Sequence, residues 1–262
     1  MSPGVLVQGN APLVVDIPHA GTHVPPDIAR RLTPVARTVP DTDWHVEKLF
    51  AFAGDAGASM LVATHSRIAV DLNRDPTGAA LYPGADNTEL CPTRTFANDA
   101  VYADGRGPDA DEIAARKDNY YYPYHAMLEA ELARVRARHG YAILLDGHSI
   151  RSEVPRFFAG RLPDLNLGTA DGASCALSVQ AVADAVLAGA TGFTSVVNGR
   201  FRGGYVTRHY GDPMRGVHAL QLEIAQVCYM DEAPPFPWDE SRAAPLVGVL
   251  RLLVEALLGW RR

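Results

Sequence analysis

The stretch Tyr141-Ala142-Ile143-Leu144-Leu145-Asp146-Gly147-His148-Ser149 decides how the chain is read. Its first five residues are apolar without interruption. A strand with one wet face alternates apolar and polar residues. A strand covered on both faces, as in a sheet sandwiched between helices, reads as an unbroken apolar run. The polar cluster after residue 145 is expected to end the strand. In open α/β sheets, ligands sit in the crevice beyond the carboxyl ends of the strands. Asp146 and His148 are therefore expected at the rim of a site.

Working outward, short aliphatic or β-branched runs predict further strands at 13–17, 60–64, 68–72, 205–208 and 219–224. Helical stretches are expected at 43–56, 110–139, 174–188 and 244–259. The Asp41-Thr42-Asp43 cluster can cap the first of these, and Pro123 should break or kink the second. Segments 74–110 and 151–173 are rich in Gly, Pro, Asp and Asn and read as long loops of the kind that often carry function. Strands alternating with helices predict a three-layer α/β/α sandwich around a mixed sheet. No linker composition divides the chain, so a single domain over 1–262 is expected.

Composition narrows the function. The formal net charge of -6 argues against a nucleic-acid partner, which needs a basic stripe. An anionic substrate must instead be drawn in by a local group of arginines. Cys91, Cys175 and Cys228 are odd in number and lack CxxC spacing, so neither a disulfide framework nor a thiolate metal site is expected. The start of the chain has no signal-peptide pattern, and no apolar run is long enough for a bilayer. A cytoplasmic protein without membrane partner is the expectation; the oligomeric state is left open.

The chemistry gathers at strand ends. His19 follows the run 13–17, Asn73 and Arg74 follow 68–72, and Asp146 and His148 follow 141–145. His19 and His148 are the natural pair of metal ligands, because catalytic zinc takes three nitrogen or carboxylate ligands and keeps a position open. Either histidine alone would more often be hydrogen-bonded to backbone; together they point to a metal. The acidic third ligand comes from Asp41, Asp43, His45 and Glu47, and Asp43 is chosen although it could equally cap a helix. Asp146 is placed to orient an imidazole. Glu223 alternates with Leu222 and Ile224, so it faces away from them. A carboxylate inside an apolar strand is costly unless it is paired or lines a cavity. A buried ion pair is the plain reading, and a general base beside metal-activated water is the functional one. Arg74, assisted by Asn73, is a candidate carboxylate clamp, with Arg151, Arg202 and Arg208 as further cations. No P-loop, GxGxxG or GxSxG pattern is present.

Longer motifs carry a resemblance. Pro18-His19-Ala20-Gly21, Pro40-Asp41-Thr42-Asp43-Trp44-His45, Val70-Asp71-Leu72-Asn73-Arg74, Asp146-Gly147-His148-Ser149-Ile150-Arg151 and Asn198-Gly199-Arg200-Phe201-Arg202-Gly203-Gly204 resemble the N-formylglutamate amidohydrolases (deformylases). Thr207 to Pro213 and Gln221-Leu222-Glu223 fit as well. The resemblance implies a phosphorylase/hydrolase-like, zinc-exopeptidase-like fold. It also implies hydrolysis of N-formyl-L-glutamate to L-glutamate and formate in histidine degradation, with Zn²⁺, Co²⁺ or another divalent metal as cofactor. The carboxypeptidase-like pattern has a glutamate three residues after the first zinc histidine, where this chain has Thr22. Two other readings stay open: a zinc deacylase for a different N-acyl amino acid, and a metal-free dicarboxylate-binding protein.

Overall fold

The computed structural model describes residues 1–262 apart from positions 82, 83, 85 and 104. Among the described residues, seven strands form one sheet: β1 (Gly4–Val7), β2 (Leu13–Ile17), β3 (Ser59–Ala63), β4 (Ala142–Ile150), β5 (Leu165–Gly168), β6 (Ser195–Val197) and β7 (Val217–Ala225). Their order is β1-β3-β2-β4-β7-β5-β6. β1 runs antiparallel to β3 and β5 antiparallel to β7, while the other neighbours are parallel. The sheet is mixed, as the sequence predicts. The helices are α1 (Pro26–Ala29), α2 (Val46–Leu49), α3 (Phe52–Asp55), α4 (Ala110–Arg116), α5 (Tyr122–His139), α6 (Leu177–Ala188), α7 (Tyr205–Tyr210) and α8 (Glu240–Gly259). Among the described residues no helix is long and apolar enough to cross a membrane.

Period-two alternation divides the core. Val15, Ile143, Leu145, Leu220 and Leu222 pack with residues of α2, α3, α6 and α8 on one face. Val14, Ala142, Leu144 and Ala219 pack with α5 and α7 on the other. Helices therefore cover both faces, which explains the uninterrupted apolar run in β4.

Several expected elements come out differently. The run 68–72 belongs to no named strand, and 205–208 lies in α7. β4 does not stop at residue 145 but continues to Ile150, so Asp146 and His148 are inside it. They are accommodated because register places Asp146 against both Asp16 and Gln221, and His148 against Glu223. The polar residues thus lie side by side at one end of the sheet. The break expected at Pro123 is a π-turn at Lys117–Tyr121, and Pro123 sits in the first turn of α5, directly after it. The expected helix at 43–56 is two single turns, α2 and α3. The residue before α2 is His45, in a left-handed conformation with φ 63°, and neither Asp41 nor Asp43 caps it.

Candidate active site

On the α5/α7 face, strands that are apolar at their amino ends turn polar toward their carboxyl ends. In β4, Ala142 and Leu144 are followed on the same face by Asp146 and His148; in β7, Val217 and Ala219 are followed by Gln221 and Glu223. These four polar side chains are all buried. His19 enters from just past β2. Its approach depends on Gly21, where a side-chain carbon would lie 2.3 Å from the His65 carbonyl oxygen.

His19, Asp43 and His148 come together, with one ligand atom from each lying within 4.8 Å of the others. All three are buried. Asp43 Oδ2 is 2.9 Å from His148 Nδ1 and 3.6 Å from His19 Nδ1, and it accepts a hydrogen bond from the Ser149 N–H at 3.2 Å. The far nitrogens of both rings meet carboxylates. His19 Nε2 lies 2.7 Å from Asp71 Oδ1, and His148 Nε2 lies 2.8 Å from Asp146 Oδ1. With a metal held between the Nδ1 atoms and Asp43, each ring would carry its proton on Nε2, facing the neighbouring carboxylate, the arrangement found around histidine-ligated metals. The other Asp43 oxygen, Oδ1, is buried and makes no hydrogen bond. Two imidazoles, one carboxylate and an unsatisfied oxygen fit a divalent cation of the zinc class.

The electrostatics are of one piece. Burial opposes ionisation of Asp43, but His148 and His19 outweigh it and hold the carboxyl below its usual range. Burial likewise opposes charge on His148, and Asp146 and Asp43 overcome it and raise its pKa well above the ordinary value. Asp71 is held well below the carboxylate range against its own burial, chiefly by Arg67 and then by Arg74 and His19. Arg67 Nη2 donates to Asp71 Oδ2 at 2.7 Å, and Arg67 Nη1 is 3.7 Å from Asp43 Oδ1. Neither Asp71 nor Arg67 was singled out by the sequence reading. The signal was there: a charged residue between Val70 and Leu72 has to be paired if the segment is buried.

Glu223 faces the same space. Gln221 Nε2 donates to Glu223 Oε2 at 2.9 Å, and Gln221 Oε1 accepts from the Gly204 N–H at 2.6 Å. Burial pushes the Glu223 pKa up to about 7. The alternatives for the acidic ligand lie elsewhere. Asp41 Oδ2 accepts from the Phe96 N–H at 2.9 Å, and burial raises its pKa to about 6. His45 Nε2 bonds the Phe236 carbonyl at 2.9 Å, and Glu47 is exposed.

A small cavity, of about 60 Å³, opens over this group. His19, Asp43, Asn73, Arg74, His148 and Glu223 line it, together with Arg67, Arg200 and an apolar wall that includes Phe96, Phe157 and Phe201. Arg74 Nε and Nη2 donate to Thr88 Oγ1 at 3.0 and 2.7 Å. The Asn73 amide points inward: Oδ1 accepts from the Val206 N–H at 2.7 Å, and Nδ2 lies 2.8 Å from His148 Nε2. Gly204 leaves room for it, since a side-chain carbon there would sit 2.3 Å from Asn73 Nδ2. Arg151, Arg202 and Arg208 are not among the described residues lining the cavity. Arg202 is about half exposed beside Asp171, Arg208 Nε donates to the Gly203 carbonyl at 2.8 Å, and Arg151 Nε is buried without a hydrogen bond. Arg200, two residues before Arg202, is the arginine of that loop that reaches the cavity, with its Nε on the Phe157 carbonyl at 2.8 Å.

Comparison with known proteins gives a consistent result. The family model for N-formylglutamate amidohydrolase matches residues 11–230. The N-formylglutamate deformylase of Pseudomonas putida is 46% identical over 253 residues, covering 97% of this chain and 94% of the relative. That of Pseudomonas aeruginosa is 47% identical over 255 residues, covering 97% and 96%. Among solved structures, the N-formylglutamate amidohydrolase of Ralstonia eutropha JMP134 superposes with TM-score 0.80 at 27% identity, covering 98% of this chain and 96% of that one.

Proposed function

The chain belongs to the N-formylglutamate amidohydrolase family, and from that premise we propose that it is a metal-dependent hydrolase of N-formyl-L-glutamate. One observation carries the metal dependence: two buried histidines and Asp43 converge through their Nδ1 and carboxylate atoms, while Asp71 bonds the far nitrogen of His19 and Asp146 stands 2.8 Å from that of His148. His19, Asp43 and His148 would hold the ion. A divalent zinc-class metal bound there supplies Lewis acidity and acidifies water near neutral pH.

The chain's own groups do the rest. Glu223, buried in the cavity, takes a proton from the attacking water as the oxygen adds to the formyl carbon. It returns that proton to the glutamate nitrogen as the C–N bond breaks, which leaves formate and L-glutamate. Gln221 keeps the Glu223 carboxyl in one orientation. Arg74 and Arg200 form the carboxylate clamp, because guanidinium binds carboxylate through paired hydrogen bonds. Asn73 serves by position, joining the clamp segment to Asp146 and α7. The apolar wall of Phe96, Phe157 and Phe201 suits the methylene groups of the substrate.

The test is Glu223→Gln. It should lower kcat by roughly 10²–10⁴-fold, the span of a lost general acid–base group, while KM changes little. Turnover within a fewfold of wild type removes Glu223 from the reaction. Comparing N-formylglutamate with N-formylaspartate and N-acetylglutamate measures how tightly chain length and acyl group are selected.

A further inference from the structure

The clamp segment is not part of the sheet, so its main chain must be held by something other than a strand ladder. Its carbonyls meet side chains from the long helical region on the α5 face. Arg116 Nη1 donates to the Ala69 carbonyl at 3.0 Å and lies 3.3 Å from that of Ile68. His125 Nε2 lies 3.0 Å from the Leu72 carbonyl, and Tyr121 Oη donates to the Arg74 carbonyl at 2.7 Å. The last two carbonyls flank Asn73. All three side chains are buried, and the rings of Tyr121 and His125 are 4.2 Å apart.

The spacing explains the π-turn. In an α-helix, residues four apart share a face, as Tyr121 and His125 do. Arg116 and Tyr121 are five apart and would diverge on a regular helix. The π-turn at Lys117–Tyr121 takes up the extra residue, because its hydrogen bonds close at i to i+5. Arg116, Tyr121 and His125 therefore align along the segment 68–74. Beyond His125, its Nδ1 accepts from Tyr210 Oη at 2.8 Å, which ties α7 to the same brace.

We propose that Tyr121 and His125 are positioning residues for substrate binding: one turn apart on the same helix face, they fix the carbonyls on either side of Asn73 and so set where Arg74 presents its guanidinium. This rests on the assignment of Arg74 to the clamp. The chemistry recognised is the carboxylate of an N-acyl amino acid, and neither Tyr121 nor His125 needs to touch it.

The experiment uses Tyr121→Phe, which keeps the ring and its stacking and removes only the hydroxyl. KM for N-formyl-L-glutamate should rise roughly three- to tenfold, with kcat within twofold, as expected for one lost hydrogen bond acting through binding. In an Arg74→Ala background the same change should add less than twofold, because the group being positioned is gone. His125→Gln, whose amide can still donate, should retain more of the wild-type KM than His125→Leu. Amide hydrogen exchange over residues 71–75 in Tyr121→Phe reads the brace without turnover and should be faster than in wild type. An unchanged KM with unchanged exchange overturns the proposal, as does a KM effect that persists in full without Arg74. Wild-type protein that releases no formate would overturn the proposed function instead, and the exchange measurement would still decide the brace.

Discussion

Asp71→Asn is the most informative single change, because this carboxylate joins the proposed ligand His19, the buried Arg67 and the proposed clamp segment. Asp71 is fully buried. Oδ1 meets His19 Nε2 at 2.7 Å and accepts from the Asn73 N–H at 2.9 Å, and Oδ2 accepts from Arg67 at 2.7 Å. Asparagine has nearly the same shape but only one acceptor oxygen. If that oxygen stays with His19 and Asn73, the amide NH₂ faces the Arg67 guanidinium, donor against donor. If the amide flips, it donates toward His19 and reverses the tautomer that points Nδ1 at Asp43. Breaking a buried ion pair from one side costs about 3–5 kcal/mol. Arg67 keeps a second carboxylate, Asp43, at 3.7 Å, so the loss should fall near the lower end of that range. Removing the partner of a ligating histidine typically weakens metal binding about 10–100-fold. Urea unfolding of the metal-free protein gives the first quantity, and competition with a chelator for Zn²⁺ gives the second. A variant within 1 kcal/mol of wild-type stability, with metal affinity within twofold, would refute the reasoning.

Two further predictions concern groups around the cavity. Burial lowers the His125 pKa from 6.5 to about 4, so the unfolded chain binds the extra proton first as pH falls. Stability should therefore decline between about pH 6.5 and 4, by at most about 3 kcal/mol from this group, and His125→Gln should flatten that slope. A stability difference between wild type and variant that is the same at pH 7 and pH 4.5 would contradict it. Arg200→Ala should raise KM for N-formyl-L-glutamate by about tenfold or more, the scale of a lost charged hydrogen bond, whereas Arg202→Ala should leave it within twofold. Steady-state kinetics of the two variants separates them, and the reverse order would return the clamp to Arg202.

Much of this was legible because burial leaves a mark. The run from Tyr141 to Leu145 announced a strand covered on both faces, and Glu223 between Leu222 and Ile224 announced a carboxylate that must line a cavity or be paired. The extension of β4 to Ile150 was not legible. Polar residues normally end a strand, and here they are kept by cross-strand partners on β2 and β7 that no local pattern reveals. Tyr205, Val206 and Thr207 favour strands by type, yet they form α7, whose entry is fixed by the Gly204 N–H on Gln221 and the Val206 N–H on Asn73. The segment 68–72 is apolar enough for a strand, but its carbonyls are taken by Arg116 and His125. β1, β5 and β6, of four, four and three residues, are too short to carry a periodic signal. In the site, His19, Asp43, His148, Glu223 and Arg74 were named from their residue types and neighbours, and the structure brings them to one cavity. Choosing among Arg151, Arg200, Arg202 and Arg208 depends on loop direction, which sequence alone does not supply.

The most direct test of the account is formate release from N-formyl-L-glutamate by the purified protein, before and after exhaustive chelation and again after adding Zn²⁺ or Co²⁺. Turnover should be lost with the metal and restored by either ion, with no restoration in His19→Ala or His148→Ala. Full turnover in the chelated protein, with no metal remaining, would contradict it.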